Sequence, residues 1–214
     1  MVKAVFFDLD GTLIDSADWH FMAFNKALSE VLSYSLTITE HNQLYNGLPT
    51  RVKLLKLRES GVQITNQQLS DIIELKKKYT NEIIQSYSKF DYEKIQMLDL
   101  LSGSYILGCV TNCNRTDTEN MLRLSGMLEY FNFIVCNEDV QNNKPAPDCY
   151  LRAIKTAQKL IPDLDPLEVL IFEDSPKGVE AAKACGANVI TVSNIDFLNS
   201  QVVSLILKRL EESV

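Results

Sequence analysis

Val2-Lys3-Ala4-Val5-Phe6-Phe7-Asp8-Leu9-Asp10-Gly11-Thr12 begins as an apolar run, broken only by Lys3, and turns acidic within one step. A short apolar run that stops at a turn signal reads as a strand buried on both faces, as strands are inside a parallel sheet. Comparable runs recur at 105–110, 133–136, 169–172 and 188–192. Helical periodicity separates them at 116–124, 149–160 and 177–185, and a last amphipathic segment covers 202–210. Strands alternating with helices predict an α/β fold, a parallel sheet with helices on both sides.

Between the first and second strands the pattern is helical throughout. Phe21, Phe24, Leu28 and Val31 recur at three- and four-residue steps, and a second candidate helix spans 51–59 and ends at Gly61. A third runs over 67–86, with Leu69, Ile72, Ile73, Leu75, Tyr79, Ile83 and Ile84 on one side. The expected organisation is a core of 1–16 and 88–214 with an inserted all-helical domain over 17–87. The hinges fall near 13–17 and 87–92.

Composition narrows the partners. The 28 Asp and Glu against 21 Lys and Arg leave a net charge of −7, which argues against a large basic footprint for nucleic acid or an anionic membrane surface. No window reaches the roughly 18 apolar residues of a membrane span, and the first strand turns acidic too soon for a signal peptide. The five cysteines are odd in number and include no Cys-x-x-Cys pair, which suits reduced thiols packed in the core of a cytoplasmic protein. A small ligand is the expected partner, and the chain is expected to be a monomer or weak dimer.

Asp8 and Asp10 fall at the carboxyl end of a buried strand, the edge at which open α/β sheets bind ligands. Alone, an Asp-x-Asp there reads as a solvated strand end. Later strands, however, deliver Thr111-Asn112, Lys144-Pro145-Ala146-Pro147 and Glu173-Asp174-Ser175 to the same edge. Asp8, Asp10, Glu173 and Asp174 together can hold a hard divalent cation, and Lys144 and Thr111 can hold an anion.

Asp8-Leu9-Asp10-Gly11-Thr12-Leu13-Ile14-Asp15-Ser16, Thr111-Asn112, Lys144-Pro145-Ala146-Pro147-Asp148 and Phe172-Glu173-Asp174-Ser175-Pro176-Lys177-Gly178 resemble, in order, the four motifs of the haloacid dehalogenase-like (HAD) phosphohydrolase superfamily. The resemblance covers about residues 2–192. It implies a Rossmann-like core, and the helical insertion resembles the cap of the branch containing beta-phosphoglucomutase and phosphoglycolate phosphatase. Asp8 is thereby implied to be the nucleophile that forms an aspartyl-phosphate, and Asp10 the general acid and then base. Mg²⁺ is implied on Asp8, the Asp10 carbonyl and Asp174, with or without Glu173. Thr111 and the Asn112 amide are implied to bind phosphate, and Lys144 to neutralise charge and steady Asp8.

In the insertion, His20 falls where mutase-like members carry a histidine that reaches the sugar. Arg51 follows Gly47-Leu48-Pro49-Thr50, which resembles a substrate-specificity loop, and Lys78 lies on the long helix. For each the plain alternative is a packed or solvated cap residue, and His41 carries no assignment. The segment 89–94 lacks the Pro-Gly turn common in relatives, and Thr111-Asn112 is more phosphatase-like than mutase-like. The expected function is therefore a magnesium-dependent phosphatase of a small phosphorylated metabolite, such as a sugar phosphate. A phosphosugar mutase is the alternative. A non-catalytic phosphoacceptor resembling a receiver domain ranks third, because it would carry its Asp on a later strand and have no large insertion.

Overall fold

In the computed structural model, residues 1–16, 18–45 and 48–212 are described. β1 (Ala4–Phe7) is the middle strand of a five-stranded parallel sheet ordered β3-β2-β1-β4-β5, formed with β2 (Ile106–Val110), β3 (Phe133–Val135), β4 (Val169–Glu173) and β5 (Asn188–Thr191). All four β1 residues are fully buried. Their lack of polar alternation follows: Val5 is flanked by Leu107 on one side and Leu170 on the other, and helices cover both faces. Each apolar side chain buried in this way contributes about 1.5–3 kcal/mol.

The helices that follow the strands are α5 (Tyr92–Ser102), α6 (Arg115–Leu124), α7 (Asp148–Ala157), α8 (Pro176–Ala184) and α9 (Ser200–Glu212). On one sheet face Ala4, Phe6, Val110 and Ile171 meet Tyr150, Ala153 and Ala157 of α7 and Ala181 and Ala182 of α8. Those alanines let the helices lie close. The five cysteines are free thiols, all buried.

The expected strands and helices stand where periodicity placed them, within two residues except at the C-terminal end of α7, where 149–160 shortens to Asp148–Ala157. α5 is an addition that periodicity did not show. Lys94 occupies a buried position beside Met97, Leu98 and Leu101 and interrupts the apolar stripe. Its ammonium is satisfied by the carbonyls of Ile195 at 2.9 Å and Leu198 at 2.7 Å.

The chain divides into two compact units, Met1–Asp15 with Ser88–Val214, and Ser16–Tyr87. The second holds α1 (Trp19–Leu32), the single turn α2 (Ile38–Glu40), a π-helical turn (His41–Tyr45), α3 (Thr50–Glu59) and α4 (Asn66–Tyr87), with no strand among its described residues. Ala23, Phe24, Ala27 and Leu28 of α1 are buried, as are Ile72, Tyr79, Ile83 and Ile84 of α4, and the two helices pack together. Thr37 opens α2 with a reciprocal cap: its hydroxyl accepts from the Glu40 amide, and the Glu40 carboxylate accepts from the Thr37 amide. Ala17 of the first expected hinge and Gly47 of the expected specificity loop lie outside the described residues. No helix among the described residues is long and apolar enough to cross a membrane.

Candidate active site

Asp8 is the first residue beyond β1 and is still fixed by the sheet, its N–H donating to the Phe172 carbonyl at 3.0 Å. The chain then folds back on itself. Leu13 and Ile14 both donate to the Leu9 carbonyl, and Gly11 donates to Ile14 at 2.8 Å. Gly11 adopts φ +84°, and a Cβ there would lie 2.4 Å from the Asp174 carboxylate, so only glycine lets this loop pass so near β4. Asp10, within the loop, is partly exposed. Thr12 is buried, and its hydroxyl donates to Asp174 at 3.4 Å.

Lys144 joins the strands chemically. Its ammonium donates to Asp8 Oδ1 at 2.7 Å, Glu173 Oε1 at 2.6 Å and the Val110 carbonyl at 2.8 Å. Those acceptors match its three protons. The Tyr150 hydroxyl lies 3.0 Å from both Lys144 Nζ and Glu173 Oε1, where it donates a hydrogen bond to Glu173 and accepts one from the ammonium. Glu173 Oε2 accepts from the amide and hydroxyl of Ser175, each at 3.2 Å. Ser175 in turn caps α8 by accepting from the Gly178 amide at 3.1 Å.

Two buried carboxylates thus share one ammonium. Burial opposes the charge on Lys144, but Asp8 first, then Tyr150 and Glu173, hold it protonated well above its ordinary value. Burial pushes Asp8 upward, Lys144 opposes that, and Glu173 and Asp10 add to it. Asp174 is also raised, by burial and then by Glu173. Cys136 and Cys149 are pushed up to about 11, chiefly by burial, so these thiols are poor nucleophiles at neutral pH.

Thr111 is buried beyond β2, its N–H donating to Val135 at 2.9 Å and its hydroxyl oxygen accepting from the Cys113 amide at 3.0 Å. Asn112 clamps the lysine loop: its Oδ1 accepts from the Lys144 amide at 3.0 Å, and its Nδ2 donates to the Lys144 carbonyl at 3.2 Å. Carboxylate oxygens of Asp8, Glu173 and Asp174 lie within 4.8 Å of one another, a hard-oxygen set suited to Mg²⁺. Within that set both oxygens of Glu173 are already engaged by Lys144, Tyr150 and Ser175.

In the second unit, the His20 Nδ1 lies 3.3 Å from Lys76 Nζ. Arg51 is exposed at the start of α3. Lys78 points outward on α4, 3.9 Å from Glu82, one turn along the same helix.

A model of the haloacid dehalogenase-like hydrolases matches residues 5–192. The chain belongs to the haloacid dehalogenase-like hydrolase family. Among its relatives, the phosphorylated carbohydrates phosphatase of Thermotoga maritima is 28% identical over 86% of this chain and 82% of its own length. The phosphoglycolate phosphatase of Nitrosospira multiformis is 29% identical over 89% of this chain and 83% of its own. The beta-phosphoglucomutase structure from Clostridium difficile superposes with a TM-score of 0.78 at 21% identity, covering 100% of this chain and 99% of that one, and so shares the fold.

Beside the residues expected of this haloacid dehalogenase-like site stand several that the sequence did not single out. Tyr150 reads as a core aromatic on α7 until its hydroxyl is seen between Lys144 and Glu173. Thr12 reads as part of a turn until its hydroxyl is seen on Asp174. Only Thr12 had a signal in the chain, its place directly after Asp-x-Asp-Gly. Lys76 was hidden in the run Lys76-Lys77-Lys78, where nothing in the sequence distinguishes the lysine near His20 from its neighbours.

Proposed function

We propose that this chain is a magnesium-dependent phosphatase of a small phosphorylated metabolite, a sugar phosphate or similar phosphomonoester. The observation that carries this is the buried pairing of Asp8 with Lys144, at 2.7 Å, beside a partly exposed Asp10 on the same tight turn. Lys144 fixes the rotamer of Asp8 and favours its ionised form, which is what a carboxylate nucleophile requires. A free oxygen of Asp8 attacks phosphorus while the bond to the leaving oxygen breaks, and Asp10 gives that oxygen its proton. The product is an aspartyl-phosphate. Asp10, now the base, takes a proton from water, and the water oxygen attacks phosphorus to release inorganic phosphate and restore Asp8.

Thr111 and the Asn112 amide hold phosphate oxygens, and the Asn112 side chain keeps the lysine loop in register. Mg²⁺ would be held by Asp8, the Asp10 carbonyl and Asp174, with Glu173 retained for Lys144. When bound it offsets the repulsion between an anionic nucleophile and an anionic phosphate. The second unit serves as the cap that selects the substrate, with His20, Arg51 and Lys78 as the residues first assigned to that task. The buried free thiols support a reducing, cytoplasmic setting.

A phosphosugar mutase is the second reading, favoured by the contact of His20 with Lys76, which would steady the histidine expected to reach a sugar hydroxyl. One experiment addresses both. A panel of phosphomonoesters is incubated with and without EDTA, and inorganic phosphate and isomerised sugar phosphate are measured together. Magnesium-dependent phosphate release is expected; isomer without phosphate selects the mutase, and no turnover of any member overturns the proposal.

A further inference from the structure

Lys53 on α3 is 7% exposed, yet its ammonium meets a ring nitrogen where a buried lysine ordinarily meets a carboxylate. His41 Nε2 lies 2.9 Å from Lys53 Nζ, and the Phe24 ring centroid lies 5.3 Å from it. Among the described residues no Asp or Glu forms an ion pair with Lys53. His41 is itself 3% exposed and packs against the rings of Phe21 and Phe24. Burial and then Lys53 push its imidazole below its ordinary pKa, which keeps it neutral at pH 7. With Nε2 accepting from the ammonium, the ring proton belongs on Nδ1, which faces Asn42 Oδ1 at 3.4 Å.

A neutral ring supplies a lone pair and no countercharge. Lys76 adds a second positive charge near Lys53, in a chain whose 28 acids outnumber its basic residues. Packing alone would be served by a methionine of similar length at no desolvation cost. The arrangement makes sense if the missing negative charge arrives with a ligand: an oxyanion would gain a charge-assisted hydrogen bond from a lysine already steadied by His41 and relieve its repulsion from Lys76.

We infer that Lys53, steadied by His41 and reinforced by Lys76, anchors an oxyanion-binding site in the second unit that takes one carboxylate or phosphate group. That group is either a second anionic group of the phosphorylated substrate, in which case the inference deepens and rests on the phosphatase proposal, or a free anion.

The test uses the full chain and its Lys53→Met and Lys53→Arg variants. In the first arm, kcat/KM is compared within pairs of phosphomonoesters matched except for a second anionic group, such as glycerol phosphate with phosphoglycerate, or a hexose monophosphate with a hexose bisphosphate. The expected result is a wild-type preference for the doubly anionic member that falls at least tenfold in Lys53→Met and less in Lys53→Arg. In the second arm, the rise in melting temperature given by malonate or inorganic phosphate in EDTA is compared for the same proteins. A collapsed preference identifies the substrate's own second group, whereas a lost thermal response with an unchanged preference identifies a free anion. If Lys53→Met moves neither quantity, the site is overturned. Should the wild type turn over no phosphomonoester, the phosphatase proposal fails and the thermal arm alone decides for or against this site. Should Lys53→Met not fold, Lys53→Gln replaces it in both arms.

Discussion

Lys144 is a residue whose loss should be felt in both stability and activity. Its removal as Lys144→Met would leave Asp8 and Glu173 buried without the cation they share, which costs about 3–5 kcal/mol. Denaturant unfolding should show that loss, and adding Glu173→Gln should recover part of it, since a neutral amide no longer needs the charge. If the double variant is no more stable than the single one, Lys144 is not neutralising that pair. Asp10→Asn should slow turnover most for substrates with poor leaving groups, which need their oxygen protonated, and least for aryl phosphates. Equal slowing across leaving groups would count against Asp10 as the acid. At this scale, Asp8, Asp10, Thr111 and Asp174 could be singled out because each falls within three residues of the end of an apolar run, and Lys144 because it opens Lys-Pro-Ala-Pro in the loop after the third run. Tyr150 was not, because on α7 an aromatic at a core position has the same pattern whether its hydroxyl is used or not.

The elements bring these side chains together through close backbone approaches. Gly178, in the first turn of α8, allows Glu173 to sit against the helix: a Cβ there would lie 1.8 Å from Glu173 Oε1. Gly178→Ala must therefore displace the carboxylate that holds Lys144, and a loss of about 1–3 kcal/mol is expected in thermal or denaturant unfolding, together with reduced turnover. Neutral behaviour in both would mean that the Glu173 position is not required. α3 offers a test of another kind. Burial, and then Lys76, lower the pKa of Lys53 from the ordinary lysine value of 10.5 to about 8. The fold therefore favours the uncharged amine: the stability this group contributes is present above 10.5 and is lost as pH falls through about 8. Lys53→Met should accordingly be more stable than the wild type at pH 7, by about 1–3 kcal/mol at 1.36 kcal/mol per unit. The gap should narrow toward pH 10, and a gap constant with pH would show that packing, not charge, sets it. The strands were readable because burial on both faces leaves an unbroken apolar run. α5 was not, because Lys94 occupies one of its core positions and finds its acceptors in Ile195 and Leu198, some 100 residues away in sequence.

At the scale of the whole molecule, a chain of net charge −7 must reverse its sign locally to bind a phosphate, and the proposed sites in the two units would do so with different residues. In the first, Lys144 together with the proposed Mg²⁺ would do this at the end of β1; in the second, Lys53 would do it beside a neutral His41, with the charge of Lys76 nearby. The division into a parallel-sheet core and an inserted helical unit followed from hydrophobic periodicity, because a period of two or a continuous run gives way to a period of 3.6 at the point where the chain leaves β1. The Lys53–His41 pair did not follow, since two basic residues twelve positions apart carry no signal until the π-helical turn and α3 bring them to 2.9 Å. The central claim is that Asp8 attacks phosphorus, and it is tested most directly by inorganic phosphate release from a phosphomonoester that the wild type hydrolyses, measured with Mg²⁺ for the wild type and for a folded Asp8→Asn variant. The prediction is a loss of at least about a thousandfold in kcat; phosphate release by Asp8→Asn at the wild-type rate would contradict it.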